Sequence, residues 1–221
     1  MNNPHIKNKI VARNKVHLLK CINEEIELKG INCDFNHIDV SSITDMGRLF
    51  YESDFNGNIS LWDVSNVLDM GHMFEKSKFN QDISAWNVSK AIEMTHMFCE
   101  SRFNQDISKW DVSGVEHMSY MFAGSAFNQD ISKWDVSGVE YISYMFSQSL
   151  FNQDISNWKP QRLKYKINTF IGSQLEKDNL VPYWANVDVE FLGQAIEIHE
   201  LHSRLSECLK PKRSSQSNIK I

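Results

Sequence analysis

Two columns of acidic residues recur along the chain and are the first candidates for chemistry. They stand in the motifs N-Q-D-I-S and W-D-V-S, as Asp82, Asp106, Asp130 and Asp154, and as Asp63, Asp111 and Asp135. Repeated carboxylates suggest the calcium sites of nonapeptide repeats, but those repeats need glycine-rich turns that are almost lacking here. Asp and Asn side chains also accept hydrogen bonds from backbone N–H groups in turns. The columns therefore predict structural turns, and we expect no metal site.

The other reactive residue types are isolated in the sequence. His199 and His202 form H-x-x-H, which would place both on one helix face but is not the H-E-x-x-H arrangement of zinc proteases. Cys99 occupies a column in which the other repeats have no cysteine. The sequence carries no G-x-S-x-G, P-loop or dinucleotide-binding fingerprint. We therefore expect no catalytic residue and no cofactor, and a protein that is not an enzyme.

Tandem repeats of 24 residues carry these side chains. The recurring apolar positions are Phe55, Phe79, Phe103, Phe127 and Phe151; Trp62, Trp86, Trp110, Trp134 and Trp158; Ile59, Ile83, Ile107, Ile131 and Ile155; Val64, Val88, Val112 and Val136; and Met73, Met97, Met121 and Met145. One unit cannot bury its apolar face alone, whereas stacked copies place each ring on its counterpart. We also expect the column Asn56, Asn80, Asn104, Asn128 and Asn152 to bridge successive units through its amides.

Each unit has two apolar patterns. The stretch I-x-x-W-x-V over residues 59–64 alternates as a short strand does. The stretch V-x-x-M-x-x-M-F over residues 67–74 has helical spacing, and Ser65 or Asn66 could cap it. The array runs from Cys33 to Phe170 with degenerate copies at both ends, where Phe35 takes the place of the Ile column. The prediction is an α/β repeat solenoid of strand-turn-helix coils.

The pattern I-x-x-W-x-V-S-x-V-x-x-M-x-x-M-F-x-x-S resembles the leucine-rich repeats of the BspA-like family, and F-N-Q-D-I-S resembles the surface-protein repeats of that family in mycoplasmas. The resemblance spans residues 33–170. It implies a leucine-rich-repeat-like solenoid and, by analogy, adhesion or protein binding.

The flanking segments predict caps on this array. Residues 6–12 favour an edge strand, and Asn14 and Gly30 would begin and end a helix from Lys15 to Lys29. Val16, Leu19, Ile22 and Ile26 would form its apolar face. Residues 188–209 have apolar residues at helical spacing, which indicates a C-terminal capping helix or a dimer contact. The domain prediction is a cap over 1–32, repeats over 33–170, a cap over 171–209 and a mobile tail over 210–221.

Charge and composition narrow the class of partner. Hydrophobic residues make up 42% and charged residues 23% of the 221 residues, as in folded soluble proteins, and the net charge is -5. Nucleic-acid binders are normally basic, so we expect no nucleic-acid partner and no anionic membrane partner. The sequence lacks both an apolar run of about 18 residues and an apolar signal region, so we expect a cytoplasmic location.

The outward positions of the predicted strands remain as a binding surface. We predict that this strand face contacts a protein partner through Ser60, Leu61, Asp63, Ser84, Asn87, Ser108, Lys109, Asp111, Ser132, Lys133 and Asp135. His72, His96, Tyr120 and Tyr144 share another column, expected as an exposed row on the helical side. Repeat proteins bind partners through such extended rigid surfaces. The predicted function is a non-catalytic protein-interaction scaffold; the alternatives are an inhibitor or antitoxin-like protein that masks a basic enzyme, and a surface adhesin.

Overall fold

The structure is a computed structural model that describes residues 10–209, without the side chains of 191 and 205–209. Strand β1 (Ile10–Val11) pairs in parallel with β2 (Ile38–Asp39), and helix α1 (Lys15–Lys29) lies between them in the chain. Helices α2 (Gln174–Lys177) and α3 (Leu192–Leu209) follow the repeats, separated by short 3-10 turns at Tyr183–Asn186 and Val189–Phe191. The predictions for residues 6–9 and for a mobile tail over 210–221 lie outside the described residues.

The 24-residue periodicity sets which residues contact each other in space. Parallel bridges join residues one repeat apart, from Asp45 with Asp69 through to Tyr141 with Tyr165. Phe79 stacks on Phe103 with ring centroids 6.2 Å apart, and the neighbouring pairs of that column repeat the contact. The tryptophans of the repeats are at most 4% exposed. The stacked rings therefore form one continuous hydrophobic core, as the repeat argument predicts.

The predicted helix over residues 67–74 does not form in this repeat or in its described copies. His72 and Lys76 have positive φ angles of 59° and 55°, which interrupt a right-handed helix. The backbone instead makes successive three-residue turns, in which the N–H of Met73 donates to the carbonyl of Met70. The apolar spacing of three reflects these turns, and helices in the described chain are confined to its two ends.

The ladder of backbone hydrogen bonds between repeats replaces the helical pattern. In the second repeat, the N–H groups of Met70, His72, Phe74 and Lys76 donate to carbonyls of the next repeat. Four such bonds recur at each of five successive steps, with N···O distances of 2.7–3.0 Å. Because alternate N–H groups are satisfied by the neighbouring repeat, each repeat depends on the next for its backbone pairing.

Helix α1 begins and ends where Asn14 and Gly30 predict. The Asn14 side chain accepts from the His17 N–H at 2.9 Å, and Gly30 ends α1 at a φ of 85°. The buried residues of α1 are Leu18, Cys21 and Ile22, whereas Val16 is 77% exposed. Leu19 and Ile26 are partly buried against the core, so three of the four predicted residues face it and Val16 does not.

The C-terminal cap extends the tryptophan column beyond the repeats. Trp184 stacks on Trp158 at 6.3 Å and packs against Phe170 at 5.6 Å. Leu192 and Ile196 bury the first turns of α3, while Leu201 is 55% exposed. Helix α3 thus covers residues 192–209 of the segment in which a helix is predicted, and Trp184, which lies outside the 24-residue lattice, closes the core.

Candidate functional site

The predicted strand face consists of turns rather than strands. Turns fall at 60–61 and 65–66 and at the equivalent positions of the following repeats. We call this surface the turn face; its members are Ser60, Leu61, Asp63, Ser84, Asn87, Ser108, Lys109, Asp111, Ser132, Lys133 and Asp135. All of them are exposed or half-buried, but no strand aligns them.

Local hydrogen bonds engage most of the polar groups on the turn face. Asp106 accepts from the Ser108 N–H at 2.8 Å, and Asp111 accepts from the N–H and hydroxyl of Ser113. Hydrogen bonds from the hydroxyl and N–H of Ser108 hold the pKa of Asp106 below its usual value. The acidic columns thus serve as turn acceptors, as the sequence analysis predicts. Within residues 10–209, no group of three His, Cys, Asp or Glu side chains could hold a metal ion.

Asparagine side chains form a second set of hydrogen bonds between successive repeats, as the sequence analysis predicts. The Asn104 Oδ1 accepts from the backbone N–H of Asn128 at 2.8 Å and from the Gln129 side chain at 3.1 Å. The same pattern recurs for Asn80 and Asn128. The oxygens of these amide groups are therefore occupied by hydrogen bonds that join successive repeats.

A different surface has the features of a binding site, and we call it the ladder groove. Its floor is a column of small residues: Gly47, Gly71, Thr95, Ser119 and Ser143. One wall follows the bridge column: Asp45, Asp69, Glu93, His117, Tyr141 and Tyr165. The other wall is the column of residues with positive φ: Arg48, His72, His96, Tyr120, Tyr144 and Asn168.

Stacked rings make the second wall of the ladder groove continuous. The ring centroids of His72 and His96 are 4.6 Å apart, those of His96 and Tyr120 4.5 Å, and those of Tyr120 and Tyr144 4.7 Å. All four residues are half-buried, so the ring edges face outward. The Tyr144 hydroxyl accepts from the Asn168 side chain at 3.0 Å. The wall therefore presents a regular series of ring edges, although the Nδ1 of His72 already bonds to the Glu75 carboxylate and the Nδ1 of His96 is buried.

Charged side chains of both signs line the two ends of the ladder groove. At its N-terminal end, a cavity of about 360 Å³ is lined by the carboxylates of Asp69 and Glu93 and by the cationic side chains of Lys15 and Arg48. At its C-terminal end, Lys164 and Lys166 line a cavity of about 470 Å³ beside Tyr165. Lys164 Nζ also bonds to Glu140 at 2.5 Å, and this bond lowers the pKa of the Glu140 carboxyl. A ligand lying along the groove would meet carboxylates and cationic side chains together at its N-terminal end, and two lysines with Asp188 at its C-terminal end.

The sequence contained one signal of this groove. The His/Tyr column is predicted from the sequence to lie on the exposed side of a helix, but no helix forms there. The column of small residues between the walls has no distinctive sequence pattern of its own. A Cβ atom at Gly71 would lie 3.1 Å from the Asp69 carboxylate oxygen, a close approach that favours glycine at this position of the floor.

The remaining candidate side chains do not assemble into a reactive centre. His199 stacks on Tyr183 at 3.9 Å, while His202 is exposed. Burial raises the pKa of the Cys99 thiol to about 12, so it is protonated at neutral pH. Among the described residues, no helix has the length and apolar character needed to cross a membrane.

Comparison with known proteins identifies the repeats. A family described as "Mycoplasma protein of unknown function, DUF285" matches twice, over residues 21–126 and 99–184. No curated protein and no solved structure matches the chain. The two family matches together span residues 21–184, which include every repeat of the stacked array. The chain therefore belongs to the DUF285 repeat family of mycoplasma proteins.

Proposed function

We propose that the protein is a non-catalytic scaffold that binds a protein partner along the ladder groove. The observation that carries this proposal is the row of four stacked rings from His72 to Tyr144, spaced 4.5–4.7 Å apart beside a floor of small residues. Tyrosine is enriched at protein interfaces because its ring gives contact area while its hydroxyl forms hydrogen bonds. Rings that are already stacked lose little entropy on association.

The scaffold itself is proposed to be a leucine-rich-repeat-like solenoid of the BspA-like type. The 24-residue parallel register and the resemblance of the repeat pattern support this assignment. The helices of the α/β prediction are confined to the caps. This difference moves the favoured binding surface from the turn face to the ladder groove, because the ladder is where successive repeats align their side chains.

The two alternatives differ in the nature of the partner. The carboxylates of Asp69 and Glu93 and the net charge of -5 would suit a basic enzyme held by an inhibitor. A surface adhesin would instead bind an extracellular or host protein, in keeping with the BspA-like resemblance, whereas the cytoplasmic location proposed here would place the partner inside the cell. Identifying the partner separates these two roles.

The experiment compares three forms of the full-length protein as bait, followed by affinity measurement with the purified partner. Wild type is compared with Tyr120→Ala/Tyr144→Ala in the groove and with Lys109→Ala/Lys133→Ala on the turn face. We expect the tyrosine variant to weaken binding at least about tenfold, which corresponds to about 1.4 kcal/mol. The lysine variant should bind as wild type does.

Two controls make the result interpretable. Thermal unfolding must show that both double variants are folded, and Tyr120→Phe/Tyr144→Phe keeps the stacked rings while removing the hydroxyls. Loss of binding in the lysine variant with retention in the tyrosine variant would assign the site to the turn face. A chain that turns over a substrate in a broad activity screen would contradict the non-catalytic proposal.

A further inference from the structure

The last repeat lacks the neighbour that every earlier repeat uses. The N–H groups equivalent to the donors of the five preceding steps belong to Lys166, Asn168, Phe170 and Gly172. The Glu176 side chain accepts from the Gly172 N–H at 2.6 Å. A carboxylate oxygen of the cap thus takes the place of one carbonyl of a missing repeat.

The other three N–H groups have no acceptor in the described chain. The N–H groups of Lys166, Asn168 and Phe170 donate to no described backbone or side-chain oxygen. All three residues line a cavity of about 500 Å³, which Val181 and Ala185 also line. This volume lies within the range of about 300–1,000 Å³ that is usual for ligand sites. Unpaired N–H groups beside a cavity cost stability unless a ligand or water satisfies them.

The chemistry of the cavity favours a ligand rich in acceptors. Besides the three backbone donors, Asn179 and Asn186 contribute side-chain amides, and Lys166 contributes an ammonium group that donates to the Ala185 carbonyl at 2.6 Å. Glu176, the acidic residue of the lining, is already engaged by Gly172. The exposed side chains of Ile167 and Ile171 flank the donors and offer apolar contacts.

We propose that this end of the array binds an extended segment of a second polypeptide, which continues the ladder by one step. Its backbone carbonyls would accept from the N–H groups of Lys166, Asn168 and Phe170, as the carbonyls of each following repeat do elsewhere. The donors are every second residue along the chain, and the middle one, Asn168, has a left-handed backbone with a φ of 54°. A segment that follows this path must itself tolerate the left-handed conformation, so the partner segment carries the pattern of the repeats. This site adjoins the C-terminal end of the ladder groove, with which it shares Lys166 and Asn168, but the proposal does not depend on the proposed function.

The test uses a peptide with the sequence of residues 140–149, EYISYMFSQS, because this segment accepts the corresponding donors of the preceding repeat. Amide hydrogen exchange of the full-length protein is followed by NMR. Without peptide, the N–H groups of Lys166, Asn168 and Phe170 should exchange at least about tenfold faster than those of Ile142, Tyr144 and Phe146. Peptide at saturating concentration should slow these three amides at least tenfold, and a scrambled peptide should leave them unchanged.

Three results would overturn the proposal. The first is that the three amides are as protected as their counterparts before peptide is added. The second is that the peptide leaves their exchange and chemical shifts unchanged. The third is that sodium acetate at the same concentration protects them equally, which would make the site a carboxylate site and not a polypeptide site.

A pair of matched variants locates the effect. Asn186→Trp places a large ring at the exposed rim of the cavity and should abolish protection by the peptide. Leu180→Trp introduces the same residue at a nearby exposed position that does not line the cavity, and should leave protection intact. Equal protection in both variants would contradict binding within the cavity.

Discussion

The indole Nε1–H of Trp110 donates to the backbone carbonyl of Ile83 in the preceding repeat, at 3.1 Å. The same bond links each of the other four repeat tryptophans to the repeat before it. The tryptophan column therefore contributes buried area and also a directional tie that fixes the register between repeats. Phe35 supplies the acceptor for Trp62, which confirms that the first, degenerate repeat takes part in the stack.

Removing the hydrogen bond from the Trp110 indole should destabilise the protein while leaving the stack of aromatic rings in place. In Trp110→Phe, the Ile83 carbonyl keeps the Trp86 N–H as a donor at 3.1 Å but loses the indole N–H, so we expect the free energy of unfolding to fall by about 0.5–1.5 kcal/mol. Urea unfolding followed by circular dichroism measures this change. Lys109→Ala, at the neighbouring exposed position, is the control and should change stability by less than about 0.5 kcal/mol. A loss in Trp110→Phe no larger than in the control would show that the bond contributes nothing.

Two substitutions at Asn104 separate the contribution of its hydrogen-bond acceptor oxygen from that of the whole side chain. Asn104→Ala should cost about 1–3 kcal/mol of unfolding free energy, because the N–H of Asn128 loses its acceptor. Asn104→Asp keeps an oxygen in the same place and should cost less at neutral pH. The measurement is again urea unfolding of both variants beside wild type. Equal losses in the two variants would mean that side-chain volume, rather than hydrogen bonding, matters at this position.

Backbone conformation predicts one stabilising substitution. Glu100 has a φ of 52°, and Gly124 occupies the equivalent position of the next repeat with a φ of 63°. Glycine adopts this region without the steric cost that other residues incur, so Glu100→Gly should raise the free energy of unfolding by about 0.5–1 kcal/mol. Gly124→Ala is the reciprocal change and should lower it by about 1 kcal/mol. Thermal unfolding of both proteins checks the prediction, and a lower melting temperature for Glu100→Gly would contradict it.

The stacked imidazoles predict a pH dependence of stability. Burial, together with the nearby charge of His72, lowers the pKa of His96, although Glu75 and Glu93 oppose the shift. Since the unfolded chain binds a proton at His96 near pH 6.5 and the folded chain does not, stability should fall as the pH drops below that value. His96→Tyr, which introduces the residue found in the next repeat, should flatten this dependence. Urea unfolding at pH 7.5 and at pH 5.5 measures it, and identical slopes for the two proteins would exclude the imidazole as its source.

The sequence predicted the contacts that depend only on periodicity. The stacking of Phe79 on Phe103 and the bridging of Asn104 to Asn128 follow from the period, because residues one period apart must become neighbours in a stack. The bounds of α1 could likewise be predicted, since Asn14 and Gly30 are local signals whose effect needs no tertiary context.

The path of the chain between those contacts could not be predicted in the same way. The apolar spacing of three at Val67, Met70 and Met73 fits both a helix and a series of three-residue turns. The choice between them is made by hydrogen bonds to the next repeat, as from the N–H of His72 to the carbonyl of Thr95. Because the ladder groove is built by these non-local bonds, the sequence showed its His/Tyr column without showing that the column forms a wall.

Hydrogen exchange of individual amides tests the stacked ladder most directly. In the repeat that contains Met118, Tyr120 and Phe122, these three N–H groups donate to the next repeat, whereas the Ser119 N–H donates to no described acceptor. The account predicts that the first three amides exchange at least about a hundredfold more slowly than that of Ser119, in two-dimensional NMR spectra of the full-length protein. Uniform exchange across the four amides would contradict the ladder, and with it the groove proposed to bind the partner.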